Sequence, residues 1–198
     1  MIALGVTRVD APLPEACAGM REGALCLVAA PETDARARLA LQLECHRINT
    51  AFLPVSARFD TGTEAAQIWL SRHGAALSAA LDQIAGQTQL TLYFGANSCS
   101  APRTESGADW LYRRARAVEQ RQTLADVLDA QRKTRGTKHH RVQAHSAGLS
   151  LHLLIPVKTI SAEAADWHNA LTPRIAPHWH MVLSGGWPPL AFGPDGMA

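Results

Sequence analysis

Between residues 24 and 94 the chain changes hydrophobic period four times, and that alternation limits its fold more than any other feature. Residues 24–30 (Ala-Leu-Cys-Leu-Val-Ala-Ala) form an unbroken apolar run stopped by Pro31, as in a buried strand. Thr33 is placed to cap a following helix with Leu39, Leu43 and Ile48 on its apolar side. Residues 51–55 read as a second strand, which Pro54 keeps short or at an edge. Thr61-Gly62-Thr63-Glu64 fits a capping box. It opens a helix whose stripe is Ala66, Leu70, His73, Leu77, Leu81 and Ile84, ended by Gly86. Residues 89–94 then alternate as a half-buried strand does. Strand, helix, strand, helix, strand predicts an α+β sandwich with helices on one face of a sheet.

Residues 95–106 are small and polar and contain Pro102, which places a domain boundary near residue 96. Two domains are expected, 1–96 and 97–198. The second opens with a long helix at about 107–135, started by Ser106 and Asp109 and carrying a thin apolar stripe of Leu111, Ala115, Val118, Ala125 and Leu128. Residues 149–157 and 179–183 read as strands, and Ser161 is placed to cap a helix through about Leu171. The tail, 184–198, contains Ser-Gly-Gly-Trp-Pro-Pro-Leu-Ala-Phe. Its glycines release the backbone from regular structure, and its prolines stiffen the strip that carries the apolar residues. Trp187, Leu190 and Phe192 hang from that strip, so the tail is expected to lie against something apolar, bridging the two domains or meeting a partner.

The net charge of +2 is unevenly spread. Residues 103–141 hold 10 Lys and Arg against 5 Asp and Glu, and the rest of the chain is close to balanced. Arg113-Arg114-Ala115-Arg116 and Arg132-Lys133-Thr134-Arg135 could meet phosphates, but Asp109, Glu119, Asp126 and Asp129 are interleaved and no aromatic series accompanies them. A solvated helix face is the expectation, with no nucleic acid as partner. Cys17, Cys26, Cys45 and Cys99 lack C-x-x-C spacing, which fits reduced thiols. The first residues carry no charged n-region with a long apolar core, and no run reaches the ~20 residues that span a bilayer. A soluble, cytoplasmic protein without a lipid-membrane partner is expected.

No phosphate-binding glycine loop, nucleophile elbow or H-E-x-x-H motif occurs. The nine histidines are the main competing signal. His178 and His180 would share one face of a strand and His168 could approach from the preceding helix, making an open zinc site for a hydrolase. No Cys, Asp or Glu stands at short ligand spacing beside His178 and His180, so the expectation is surface histidines, no metal, no cofactor and no catalytic residue. His73 is expected to be a partly buried structural residue, and His139 and His140 to extend the basic surface.

Several segments, in order along the chain, resemble the gas vesicle protein F/L family. Residues 53–61 (Leu-Pro-Val-Ser-Ala-Arg-Phe-Asp-Thr) are similar to its L-P-x-R-F-G-T signature, with one extra residue before Arg58 and Asp60 in place of glycine. Residues 107–114 resemble its G-x-x-Y-L-x-R helix start, and residues 186–192 its closing G-P-W-P-P-Y-S-F, with Leu190 where the family has tyrosine. The resemblance implies a ferredoxin-like N-terminal domain, a second α+β domain with a long helix, and an extended C-terminal tail. It also implies a non-enzymatic accessory protein of gas vesicles, a minor structural component or assembly and nucleation factor. Its partners would be the hydrophobic shell protein and other gas vesicle accessory proteins, and it would be found at the vesicle shell. Arg58, Phe59, Trp187, Pro188, Pro189, Leu190 and Phe192 are the residues expected to serve partner or interdomain binding.

Overall fold

The computed structural model describes residues 1–55, 63–97, 106–145, 148–176 and 178–193. The chain is α+β, with two four-stranded sheets and four α-helices among the described residues. It divides into two compact units that are not consecutive in sequence. Unit 1 gathers Met1–Leu90, Leu154–Ile160 and Gly185–Ala198, and unit 2 gathers Thr91–Leu153 and Ser161–Ser184. A single cut near residue 96 does not reproduce this division, since the tail is grouped with the N-terminal half.

The first sheet has strand order β2-β3-β1-β4, with β1 at Ile2–Arg8, β2 at Ala18–Glu22, β3 at Leu25–Ala30 and β4 at Leu53–Pro54. Its pairs are antiparallel, from Ile2 opposite Ala30 to Arg8 opposite Leu25, with Gly5 opposite Pro54. Pro54 lacks an N–H to extend the ladder, and β4 is accordingly two residues long at an edge. A bulge between Ala3 and Gly5 shifts the register of β1. It lets Ala3 and Val6 face the same core although they are three residues apart. Gly5 is required there, because a Cβ would stand 2.6 Å from the Leu53 carbonyl oxygen and 2.4 Å from the Phe52 ring.

Helices cover both faces of this sheet, not one. On one face the helix α2 (Thr63–Ile84) packs its stripe of Ala66, Leu70, Leu77, Leu81 and Ile84 against Ala3, Val6, Leu25, Leu27, Leu53 and Val55. His73 is half-buried beside Trp69, ring centroids 5.2 Å apart. On the other face Leu4, Val28, Ala30 and Phe52 meet Cys45 of α1 (Ala35–Ile48). Every residue of β3 is therefore buried, which is what an unbroken apolar run records.

The buried face of α1 is polar, contrary to the stripe expected from Leu39, Leu43 and Ile48. Gln42, Cys45 and His46 point inward, and Ile48 is exposed. Its polar side chains reach backbone carbonyls of β1 and of the residue after β4. Gln42 Nε2 donates to Leu4 O at 2.8 Å, and Arg38 Nη2 donates to Ala3 O at 3.2 Å and Val55 O at 2.6 Å. Buried acceptors of this kind cost more left unmet than apolar packing would return. The helix is capped by Asp34, not Thr33, through Ala37 N at 2.7 Å. Of the box expected at 61–64, Thr61 and Gly62 lie outside the described residues.

The second sheet has order β6-β7-β5-β8, with β5 at Gln87–Ala96, β6 at His140–His145, β7 at Gly148–Pro156 and β8 at Trp179–Trp187. Here β5 departs from expectation, since it joins this sheet and not that of β3 and β4. Strands β1, β2 and β6 are additions to the elements expected from sequence. Strand β8 runs through Gly185 and Gly186, so the glycines do not end regular structure. Gly186 holds φ at +79°, and a Cβ on Gly185 would press on Ile160 at 2.9 Å and Leu90 at 3.1 Å.

In unit 2, α3 spans Gly107–Thr134 and starts at Ser106 and Asp109 as expected, through a capping box in which Asp109 N donates to Ser106 Oγ at 3.2 Å and Ser106 N to Asp109 Oδ2 at 3.3 Å. It buries Leu124, Leu128 and Gln131, an i, i+4, i+7 set in its C-terminal half only. Leu111 and Val118, placed on the stripe from the sequence, are exposed. Helix α4 (Ile160–Ile175) follows a 3-10 turn at Val157–Thr159 and buries Trp167, Leu171 and Ile175. It carries Pro173 in its last turn, past the end at Leu171 read from the sequence.

Buried histidines give the fold a pH dependence. His46 sits under α1 with Nε2 3.3 Å from Thr88 Oγ1, and burial pushes its pKa below the ordinary 6.5. His140 and His152 are lowered mainly by burial too, with Arg132 and His145 respectively adding repulsion. The folded state thus resists a proton that the unfolded chain accepts. Stability is complete above about pH 6.5 and is lost as pH falls from there through the lower folded values. Urea midpoints measured between pH 8 and pH 5 should fall below about 6.5, and His46→Gln should flatten part of that slope; a flat profile in the parent protein would contradict this.

Candidate interaction surfaces

The described part of the tail, through Gly193, is anchored. After β8, Pro188 and Pro189 are buried and Leu190–Phe192 makes a 3-10 turn against β4. Phe192 is 7% exposed and joins the core of α2, β1, β3 and β4. Two long-range hydrogen bonds hold the strip: Thr88 Oγ1 donates to Trp187 O at 2.9 Å, and Ala191 N donates to Gln89 Oε1 at 2.9 Å. Trp187 is half-buried, and Leu190, 41% exposed, is the large apolar tail side chain left facing solvent among the described residues. Arg58 and Phe59 lie outside the described residues.

The histidines weighed as a metal set are not gathered. His168 is exposed on α4, and His178 and His180 are exposed at the start of β8. His180 lies over Gly95, where a Cβ would come within 2.2 Å of its ring, and its Nδ1 is 3.3 Å from Asn97 Oδ1. Among the described residues no group of three or more His, Cys, Asp or Glu side chains is placed to hold a metal ion. Cys17, Cys26 and Cys45 are free thiols, and burial, with Cys17 adjacent, pushes Cys45 up to about 12. A thiol so held stays protonated and is a poor nucleophile. Cys99 lies outside the described residues.

The basic segment divides into two halves with different fates. Its C-terminal half is tied up inside unit 2: Lys133 and Arg132 pair with Asp129, each at 2.6 Å, and hold its carboxyl at about 2. Arg135 approaches Glu163 and Asp166 at 3.5 Å and lies 5.3 Å above the Trp167 ring. The N-terminal half stands in water. Arg114 stacks over Trp110 at 5.2 Å, while Leu111, Tyr112 and Val118 are 62%, 69% and 60% exposed.

Where the two halves meet, α3 and the end of α4 enclose a cleft of about 250 Å³. Leu124, Val127, Ile175 and Trp179 make its apolar side, and Arg116, Arg174 and His178 stand at its polar side with Glu119. Arg174 is positioned by Nη1 donating to Gln131 Oε1 at 3.1 Å. Nothing in the sequence reading anticipates this cleft. Its signal is only that Arg174 and Ile175 close one helix while Trp179 opens the next strand.

The whole chain has counterparts of known structure. It superposes on the crystal structure of the gas vesicle protein GvpF from Anabaena sp. PCC7120 with a TM-score of 0.69, covering 98% of this chain and 95% of that one at 11% identity. The chain has the GvpF fold. The crystal structure of GvpF from Microcystis aeruginosa matches with a TM-score of 0.68, covering 96% of this chain and 97% of that one at 10% identity. No protein-family model matches the sequence, and no curated protein matches it. The GvpF fold therefore survives here with about one residue in ten retained, so tertiary structure carries the likeness. Among the described residues no helix is long and apolar enough to cross a membrane.

Proposed function

We propose that this protein is a gas vesicle accessory protein, a minor structural component or assembly factor that binds the hydrophobic shell protein at the vesicle. The observation that supports this most is the match to GvpF over nearly the full length of both chains, both units included. Fold alone does not fix function, and the ordered F/L-like segments at 53–61, 107–114 and 186–192 add a second line of support from the sequence.

On this reading the protein works by surfaces and not by chemistry. The tail residues Pro188, Pro189 and Phe192 serve unit 1 itself, and Leu190 with half-buried Trp187 is what the tail offers a partner. Deleting the gene is expected to abolish vesicles or leave them misshapen, and tagged protein is expected to co-purify with the shell protein. Normal vesicles in the deletion strain, together with no shell protein in the pull-down, would overturn the proposal.

A further inference from the structure

The cleft between α3 and the end of α4 joins an apolar floor to a surplus of positive charge. We propose that it binds a small-molecule carboxylic acid, with the apolar body seated on the floor and the carboxylate held by Arg116 and Arg174. The inference rests on the geometry of unit 2 and not on the gas vesicle reading.

The floor sets the size and polarity of the body. Arg116, Glu119, Leu124 and Val127 stand at i, i+3, i+8 and i+11, so α3 turns one face to the cleft, and Ile175 and Trp179 close the other side. Leu124, Ile175 and Trp179 are buried in unit 2, which fixes this wall before anything binds. The cleft holds about 250 Å³, room for about eight waters, and it falls short of the ~300–1,000 Å³ of pockets for drug-sized ligands. It suits one ring or one branched chain and is too small for a helix or a strand.

Charge sets the other end of the ligand. Arg116 meets no carboxylate among the described residues. Arg174 Nη1 donates to Oε1 of buried Gln131 at 3.1 Å. That bond holds the guanidinium in place and leaves its other N–H groups for an acceptor. Glu119 is the carboxylate on the cleft wall. Two arginines against one glutamate leave a single positive charge, which one carboxylate balances; a phosphate, at about −1.5 to −2, exceeds it. The arginine fork also matches a carboxylate in two parallel bonds. An amide of the same shape meets neither condition.

Isothermal titration calorimetry of the full-length protein with hydrocinnamate and with its neutral amide tests this. The acid should bind with a Kd of about 1 mM or tighter, and at least ~10-fold tighter than the amide. Arg116→Gln and Arg174→Gln should each weaken the acid by about 10-fold and leave the amide as it was. Glu119→Gln should tighten the acid by about 3-fold, a gain that a purely structural glutamate would not give. Arg36→Gln, exposed on α1 of unit 1, should change nothing. No binding of the acid, equal binding of acid and amide, or wild-type affinity in both arginine variants would overturn the proposal. So would tighter binding of phenyl phosphate, which would assign the cleft to phosphate. An acetylated peptide ending in phenylalanine that binds ~10-fold tighter than hydrocinnamate would overturn it too, since the cleft would then take the carboxyl terminus of a partner chain.

Discussion

Replacing Phe192 with alanine is expected to destabilise unit 1 by about 3–5 kcal/mol, the range for removing a buried aromatic ring from a core. The ring is 7% exposed and belongs to the core cluster that also holds Val6, Leu25, Leu53, Leu70 and Leu81, so the cavity would open among side chains held by one helix and a sheet. Little of it can close, because β1 and β3 are fixed by their ladder and α2 by its own turns. Phe192→Leu should cost far less, since it keeps most of the volume. Truncation after Gly185 should cost more than either, because it also removes Pro188, Pro189 and the bonds from Thr88 to Trp187 and from Ala191 to Gln89. Amide hydrogen exchange locates the effect: protection should fall in β1 and β3, more than 160 residues away in sequence from the substitution. Unchanged protection there, with a loss confined to the C-terminal elements, would return the tail to the second half of the chain.

The second large effect is expected at Trp167. It is fully buried on α4, at 0% exposure, and the Arg135 guanidinium lies 5.3 Å above its ring. Trp167→Ala should cost about 3–5 kcal/mol of unit 2 stability for the lost ring and its cavity. Loss of the ring also leaves Arg135 without the surface it stacks on, while its carboxylates Glu163 and Asp166 stay one turn apart on the same helix. Trp110→Ala is the comparison. That ring is 46% exposed on the free half of α3, and its removal should change stability by no more than about 0.5 kcal/mol. Urea unfolding of the two variants decides: near-equal midpoints would mean that Trp167 is not the centre of its core.

Signals in the chain are legible where the physics is local. The Ser106 and Asp109 cap starts α3 where the sequence places it, because a side chain and an amide three residues apart settle that start between themselves. The α2 stripe, the stop at Gly86 with φ +72° and the short strand at Pro54 come from helical period, backbone freedom and a missing N–H. The α1 face is not legible in this way, because its partners are distant. Arg38 and Gln42 turn inward to meet the carbonyls of Ala3, Leu4 and Val55, which no helical pattern reveals. The unbroken run of β3 does announce two covered faces, since a strand covered on one side would alternate.

The interaction surfaces show the same division. Trp-Pro-Pro-Leu-Ala-Phe marks itself in the sequence as an apolar strip that needs a cover, and its prolines make that so by stiffening the chain whatever it lies on. That the cover is the core beside β4, and that Leu190 is left outside, depends on contacts across more than 100 residues. The basic segment reads as one run of charge. That Arg135 meets carboxylates depends on where α4 brings Glu163 and Asp166. The sequence by itself determined the start of α3, the stripe of α2 with its stop at Gly86, and the short strand at Pro54, since those energies are set by neighbours a turn away. The tertiary structure alone decided which sheet takes β5, which unit takes the tail and which carboxylates meet Arg135, since those depend on pairs that only packing brings together.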